Sequence, residues 1–341
     1  MLSHCYPRKY HLIEKGLLLS DYFAEFIQLY KKNTISKPAY DRYKTTLKHI
    51  KNYAPALTLG DLNHRNYQLL LNEFAKTHAY STTKCFHVCL RQMIKYAYLD
   101  GVLDNDVAAN AVIKGIRKPN QANKNYLDYN QYQSLIKFVI QRLNPANPSY
   151  AMIFLIALTG LRYAEAAALT WGDVNFIDGY IRINKSWKYK EVGQGFGSLK
   201  TLGSDRIVDL DDHTLDILNR YKLKQTAYIS NLEQVQRRYT TNADNFIFFS
   251  NINKVVTNRS INRTLKRIQK QLRIQQPITC HGLRHTYASV LLYKEIDINT
   301  ISMLLGHSND VTTRKIYLHV INELKHKNRK KIHDTLLSIY D

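Results

Sequence analysis

The chain has 341 residues, enough for about two domains, and 45% of them are hydrophobic, a share that suits folded cores. It carries 49 Lys and Arg against 27 Asp and Glu, a formal net charge of +22, which predicts a polyanionic partner held in a salt-dependent way. No apolar run approaches the ~18 residues of a membrane span. The first sixteen residues lack the apolar core of a secretory signal, and Cys5, Cys85, Cys89 and Cys280 form no paired metal-ligand pattern. The expectation is a soluble cytoplasmic chain with free thiols, no membrane association and no cofactor.

Residues 1–17 are short, basic and rich in turn formers. A helical pattern begins at Leu18, with Leu19, Phe23, Phe26, Ile27 and Tyr30 on one face. Further helices are predicted from Pro38 to Tyr53, near Leu62 to Ala75 and from Thr82 to Leu99, where Gly101 ends the last. Together, 18–113 reads as an all-helical domain. Residues 114–125, KGIRKPNQANKN, show no apolar periodicity and read as a basic linker, either solvated or lying along a polyanion.

Asp128 and Gln131 have capping-box spacing, which opens a helix. SYAMIFLIAL at 149–158 is apolar all round and predicts a buried helix broken by Gly160. Another helix is expected over Arg162 to Leu169, its alanines permitting close packing. From Gly179 the pattern alternates through Tyr180, Ile181, Ile183 and Trp187. A glycine-rich loop and RIVDL follow, so a small antiparallel sheet is predicted. After Thr214 the pattern reads as helices to the end, the last over about 323–339.

The chemistry-bearing residues gather late. CHGLRHTYAS at 280–289 is followed by LLGH at 304–307 and by Tyr317; Arg162 and Lys200 stand upstream. These are the groups needed to grip a phosphodiester and attack it without a metal. Arginine suits the nonbridging oxygens because its planar fork stays charged and donates two hydrogen bonds. Arg162 and Arg284 each follow Gly-Leu in an apolar context, which predicts a backbone anchored near a core and a guanidinium reaching out. With 25 tyrosines, abundance alone cannot choose a nucleophile. Tyr287 is a rival to Tyr317, but it falls on the apolar face of its own helix. His281 and His285 have the i, i+4 spacing of zinc sites, yet Gly282 replaces the glutamate of that motif and no third ligand is evident. Lys188 is the alternative to Lys200. No phosphate-binding glycine loop or magnesium-holding carboxylate cluster is present.

The blocks TGLRYAEAAALTW, SLKTLGSDRIVDL, HGLRHTYAS and LLGHSNDVTTRKIY resemble, in the same order, the motif boxes of tyrosine site-specific recombinases, the phage integrase family. The resemblance implies a mainly α fold: a helical core-binding domain at 18–113, and at 126–341 an α+β catalytic domain with a small antiparallel sheet. It implies that Arg162 and Arg284 bind the scissile phosphate and that Lys200 protonates the departing 5′ oxygen. His281 would assist proton transfer, His307 would bond a nonbridging oxygen, and Tyr317 would attack to give a 3′-phosphotyrosine. Glu165 would orient His281 or an arginine. No metal site is implied.

The implied partner is double-stranded DNA carrying core or attachment sites, bound by a homotetramer that exchanges strands through a Holliday junction, with an excisionase or host bending protein as accessory. Lys44, Lys48, Lys84, Arg91, Lys95, Arg117 and Lys118 are the expected DNA contacts outside the catalytic groups. The C-terminal helix would dock on a neighbouring protomer or on its own core. About seventeen residues precede the first helix, too few for the arm-binding domain of larger integrases; either the recombinase acts on simple core sites or the chain is a fragment. Three other readings stay open: a chromosome-dimer resolvase of the same family, a type IB topoisomerase-like enzyme, and a catalytically silent DNA-binding regulator.

Overall fold

The structure, a computed structural model, describes residues 16–116, 125–189, 195–199, 205–235, 245–252 and 254–306. The chain divides into two units, Met1–Ala122 and Asn123–Asp341.

In the first unit, α1 (Leu19–Phe26) runs into a π-helical turn, Ile27–Lys31, instead of continuing as α-helix. Lys31 explains the departure. Its side chain is buried, lies over the rings of Phe26, Tyr43 and Tyr96, and donates to Gln92 Oε1 at 3.0 Å. A widened turn re-aims such a side chain, and the aromatic faces and the amide oxygen offset the cost of burying its charge. Helices α2 (Lys37–Tyr53), α3 (His64–Ala75) and α4 (Tyr80–Leu99) complete the unit. Asn63 caps α3 by accepting from the Asn66 backbone at 2.9 Å. Phe23, Ile50, Phe74, Leu90, Met93 and Ile94 fill the interior, whereas Lys44 and Lys48 on α2 and Lys84, Arg91 and Lys95 on α4 are exposed. Of the segment expected to be a linker, Ile116 donates to the His78 carbonyl at 2.9 Å and pairs with Ala79, while Arg117 and Lys118 lie outside the described residues.

The second unit is built on α6 (Ser149–Thr159), which is buried on nearly every side. Helices α5 (Tyr129–Ile140, opened by the Asp128–Gln131 capping box), α9 (Asn258–Gln271) and α10 (Cys280–Tyr293) pack around it. The short α7 (Tyr163–Ala167) follows α6 directly. A three-stranded antiparallel sheet runs in the order β1 (Val174–Asn175), β2 (Tyr180–Ile183), β5 (Arg206–Asp209). Its alternation is regular: Ile181 opposes Val208 and Ile183 opposes Arg206 on the inward face. Strands β3 (Ser186–Trp187) and β4 (Phe196–Gly197) form a separate hairpin. The long helix α8 (Asp212–Val235) follows, and α11 (Ile298–Leu305) ends the described part.

The expectation of helices alone after Thr214 needs correction. A second hairpin, β6 (Phe249–Ser250) with β7 (Lys254–Val255), interrupts it. Phe246, Ile247, Phe248 and Phe249 are all buried, and a short run buried on both faces has no alternation by which to tell strand from helix.

Leu155, fully buried in α6, is a sensitive probe of this core. Leu155→Ala is expected to cost about 2–5 kcal/mol in urea unfolding. Leu223→Ala, on the exposed face of α8, is expected to stay within about 0.5 kcal/mol.

Candidate active site

Two helix ends and one strand bring the polar groups together. Helix α6 ends at Gly160 and α11 at Gly306, both left-handed, with φ of 64° and 62°. Glycine accepts that conformation without strain. It is also the residue that fits: a Cβ on Gly160 would overlap the Tyr287 ring, and one on Gly306 would crowd the Arg206 guanidinium.

Helix C-termini expose carbonyls at the negative end of the helix dipole, which attracts cations. Three arginines use them. Arg284, from the first turns of α10, is only 2% exposed; it donates to Gly160 O at 2.8 Å and to Leu305 O at 2.6 Å, and so ties the two helix ends together. Arg162, the residue before α7, donates to Gly306 O at 3.2 Å. Arg206, at the start of β5, donates through Nε to Leu304 O at 2.7 Å. Arg284 thus differs from the expectation of an outward guanidinium: it is buried, held by the carbonyls that cap its neighbours.

Glu165 is the counter-charge. Its Oε1 accepts from Arg162 Nη1 at 2.7 Å; its Oε2 accepts from the Arg162 backbone at 2.9 Å and from Arg206 Nη2 at 2.9 Å. The carboxylate is buried, with its side chain 4% exposed. Burial alone would raise its carboxyl, but Arg206 first and Arg162 second, each through charge and hydrogen bonding, hold it below its ordinary value. Glu165 therefore bonds two arginines, Arg162 and Arg206.

His281 opens α10 one turn before Arg284 and is exposed along one edge. Partial desolvation, then Arg284 and Arg162, lower its basicity below the usual imidazole range. At neutral pH it is therefore an uncharged imidazole able to accept a proton. His285 stacks edge-on against it at 4.7 Å and is pushed down to about 4, by burial first and then by His281 and Arg284. Among the described residues no group of three His, Cys, Asp or Glu is placed to hold a metal ion. Tyr287 packs with Ala288, Leu292, Ile301 and Leu305. Lys185, fifteen positions before Lys200 in the sequence, is bound to Asp173 at 2.6 Å. Lys200, His307 and Tyr317 lie outside the described residues, as does the C-terminal helix expected over 323–339.

The sequence reading missed two features. Arg206 carried a signal: in RIVDL, alternation sets it with Val208 on the inward face, and an inward arginine requires a partner. The second is α9. Arg259, Arg263, Lys266 and Lys270 recur at i, i+4, i+7 and i+11 and are all exposed, opposite the buried Ile261, Leu265 and Ile268. The helix contains no acidic residue.

Comparison with known proteins agrees with this geometry. The model of the phage integrase family matches residues 125–323, more than half of the chain. The chain belongs to the phage integrase family. It is a tyrosine recombinase, an enzyme of DNA strand cleavage and rejoining. A phage integrase SAM-like domain matches residues 18–116 of this recombinase. Curated relatives include an integrase of Staphylococcus phage L54a, 27% identical over 86% of this chain and 85% of the relative. Another is the tyrosine recombinase XerD of Listeria innocua, 26% identical over 89% and 94%. Among solved structures, the recombinase shares its fold with the Tn1549 transposon integrase in complex with transposon right end DNA (TM-score 0.69, 17% identity, 88% of this chain and 95% of the other). It also shares it with a lambda integrase dimer bound to a COC′ core site (TM-score 0.62, 15% identity, 88% and 77%).

A buried carboxylate held low in this way contributes stability that is fully present above its ordinary value of 4.5 and lost as pH falls through its lowered folded value. Glu165→Gln removes that contribution. The gap in urea midpoint between unaltered protein and Glu165→Gln is expected to be constant above about pH 5.5, a unit clear of the ordinary value, and to close below it.

Proposed function

We propose that this tyrosine recombinase is the integrase of a mobile element, cutting and rejoining DNA through a 3′-phosphotyrosine and a Holliday junction. One observation carries the chemical part: three guanidiniums and one carboxylate converge on the end of α11, one residue before His307. The phosphorane formed when a phosphodiester is attacked carries more negative charge than the diester, so fixed cations favour the transition state over the ground state. A guanidinium has five donors, so one group can hold a carbonyl and an anion at once.

In this reading Arg162 and Arg284 bind the nonbridging oxygens. Tyr317 attacks phosphorus, and the 5′ oxygen leaves with a proton from Lys200. His281, uncharged at neutral pH, takes the phenol proton or orients the phosphate, and His307 bonds a nonbridging oxygen. Because a phosphodiester is exchanged for a phosphotyrosine, rejoining needs no nucleotide cofactor. The 27% identity to a phage integrase supports the mobile-element role; the 26% identity to a XerD recombinase keeps a chromosome-dimer resolvase as the second reading. The homotetramer, an excisionase or host bending protein as accessory, and a cytoplasmic site of action belong to the same proposal.

DNA would be held electrostatically by α9, by Lys44 and Lys48 of α2, and by Lys84, Arg91 and Lys95 of α4, all exposed. Arg263→Ala and Lys266→Ala are each expected to weaken binding of unrelated duplexes equally and to reduce the salt slope by about one. Fluorescence anisotropy across a salt series checks this.

The chemistry is tested with a nicked suicide duplex selected by the unaltered chain from a randomised pool. Tyr317→Phe is expected to bind it and form no covalent adduct. Arg162→Ala and Arg284→Ala are expected to slow adduct formation by about 10²–10³. An adduct of undiminished yield from Tyr317→Phe excludes Tyr317 as the nucleophile.

A further inference from the structure

We infer that Arg206 is a positioning residue for strand cleavage: by sharing Glu165 with Arg162 and by holding the last turn of α11, it keeps the Arg162 guanidinium oriented and available to the phosphate. The inference rests on the recombinase chemistry proposed above.

The geometry makes the case. Glu165 faces two guanidiniums, and Arg206 takes Oε2 while Arg162 Nη1 takes Oε1. Without Arg206, the carboxylate would have Arg162 as its one remaining guanidinium partner in this cluster, and that pair would be close to neutral. With Arg206, the two arginines share one carboxylate among the described residues, so Glu165 does not pair with Arg162 alone. The exposures differ accordingly: the Arg206 side chain is 7% exposed, whereas Arg162 is 34% exposed at the edge of the site. Of the two guanidiniums that bond Glu165, Arg162 is thus the more open.

The second bond adds a mechanical role. Arg206 Nε grips Leu304 O, Arg162 Nη2 grips Gly306 O and Arg284 Nη2 grips Leu305 O, so three consecutive carbonyls each receive a different arginine. Arg206 joins the sheet to this helix end, since it opens β5 opposite Ile183 of β2. Lysine could supply the charge, but its single ammonium lacks the planar fork that bonds a carboxylate and a carbonyl in two directions at once.

The test is single-turnover cleavage of the selected suicide duplex by the full chain. It compares Arg206→Met and Arg206→Lys in the native background and in a Glu165→Gln background. The rate constant is read on the DNA-bound fraction, so partial unfolding lowers the amplitude and not the rate. Arg206→Met is expected to bind the duplex within about 3-fold of the unaltered chain and to cleave it about 10²-fold more slowly, the scale of a misplaced reacting group. Arg206→Lys is expected to recover about tenfold of that loss. In the Glu165→Gln background there is no carboxylate to compensate, so only the part due to the Leu304 bond remains, and either change is expected to cost about tenfold less than in the native background, a non-additivity that marks direct coupling. A merely structural arginine would slow cleavage equally in both backgrounds. That result, or undiminished cleavage by Arg206→Met, overturns the inference; if the methionine variant does not fold, the lysine comparison decides by the same criterion. Failure of the unaltered chain to form any adduct would instead overturn the recombinase chemistry itself.

Discussion

The site depends on one buried carboxylate. Arg162, Arg206 and Arg284 all reach the end of α11, and three like charges in a partly desolvated space repel one another. Glu165 lowers that repulsion by bonding two of them, and the carbonyls of Gly160, Leu304, Leu305 and Gly306 absorb much of the rest. The arrangement stops short of neutrality. Among the described residues, three guanidiniums and one carboxylate leave an excess of positive charge, fixed before any ligand arrives. Preorganised charge of this kind needs no rearrangement as a phosphorane forms, which is where electrostatic catalysis gains most of its effect.

The fold supplies the remaining constraint. Helix α6 is buried on nearly all sides, so its C-terminus is set by packing, and Arg284 couples that end to α11 through two carbonyls. Gly160 and Gly306 each combine a left-handed backbone with a neighbour too close for a side chain. Core packing thereby reaches the functional groups through two glycines and one arginine. A similar economy appears in the first unit, where Lys31 is turned inward onto three aromatic rings while the lysines of α2 and α4 stay exposed.

Much of this was legible in the sequence, and the parts that were not share a cause. The helices with a strong 3.6-residue pattern, the Asp128–Gln131 cap, the all-apolar α6 and the alternation of β2 and β5 could be read directly. The motif order pointed to Arg162, Glu165, His281 and Arg284, which the structure brings to one place. The β6–β7 hairpin was hidden because burial on both faces erases alternation. The π turn was hidden because it depends on rings contributed by α2 and α4. The burial of Arg284 was hidden because Gly160 O and Leu305 O, which it bonds, are backbone carbonyls and leave no trace in residue identity. Arg206 and the basic stripe of α9 were visible as patterns, but charge on a strand or helix reads as solvated surface until its direction is known.

The most direct measurement is a crystal structure of the chain with its DNA, trapped by vanadate as a phosphorane mimic. The account predicts guanidinium nitrogens of both Arg162 and Arg284 within hydrogen-bond distance of the equatorial oxygens, Arg206 still bonded to Glu165 and Leu304, and the hydroxyl of Tyr317 at an apical position. A mimic bound away from Arg162 and Arg284, or contacted by Arg206 with Glu165 released, would contradict it.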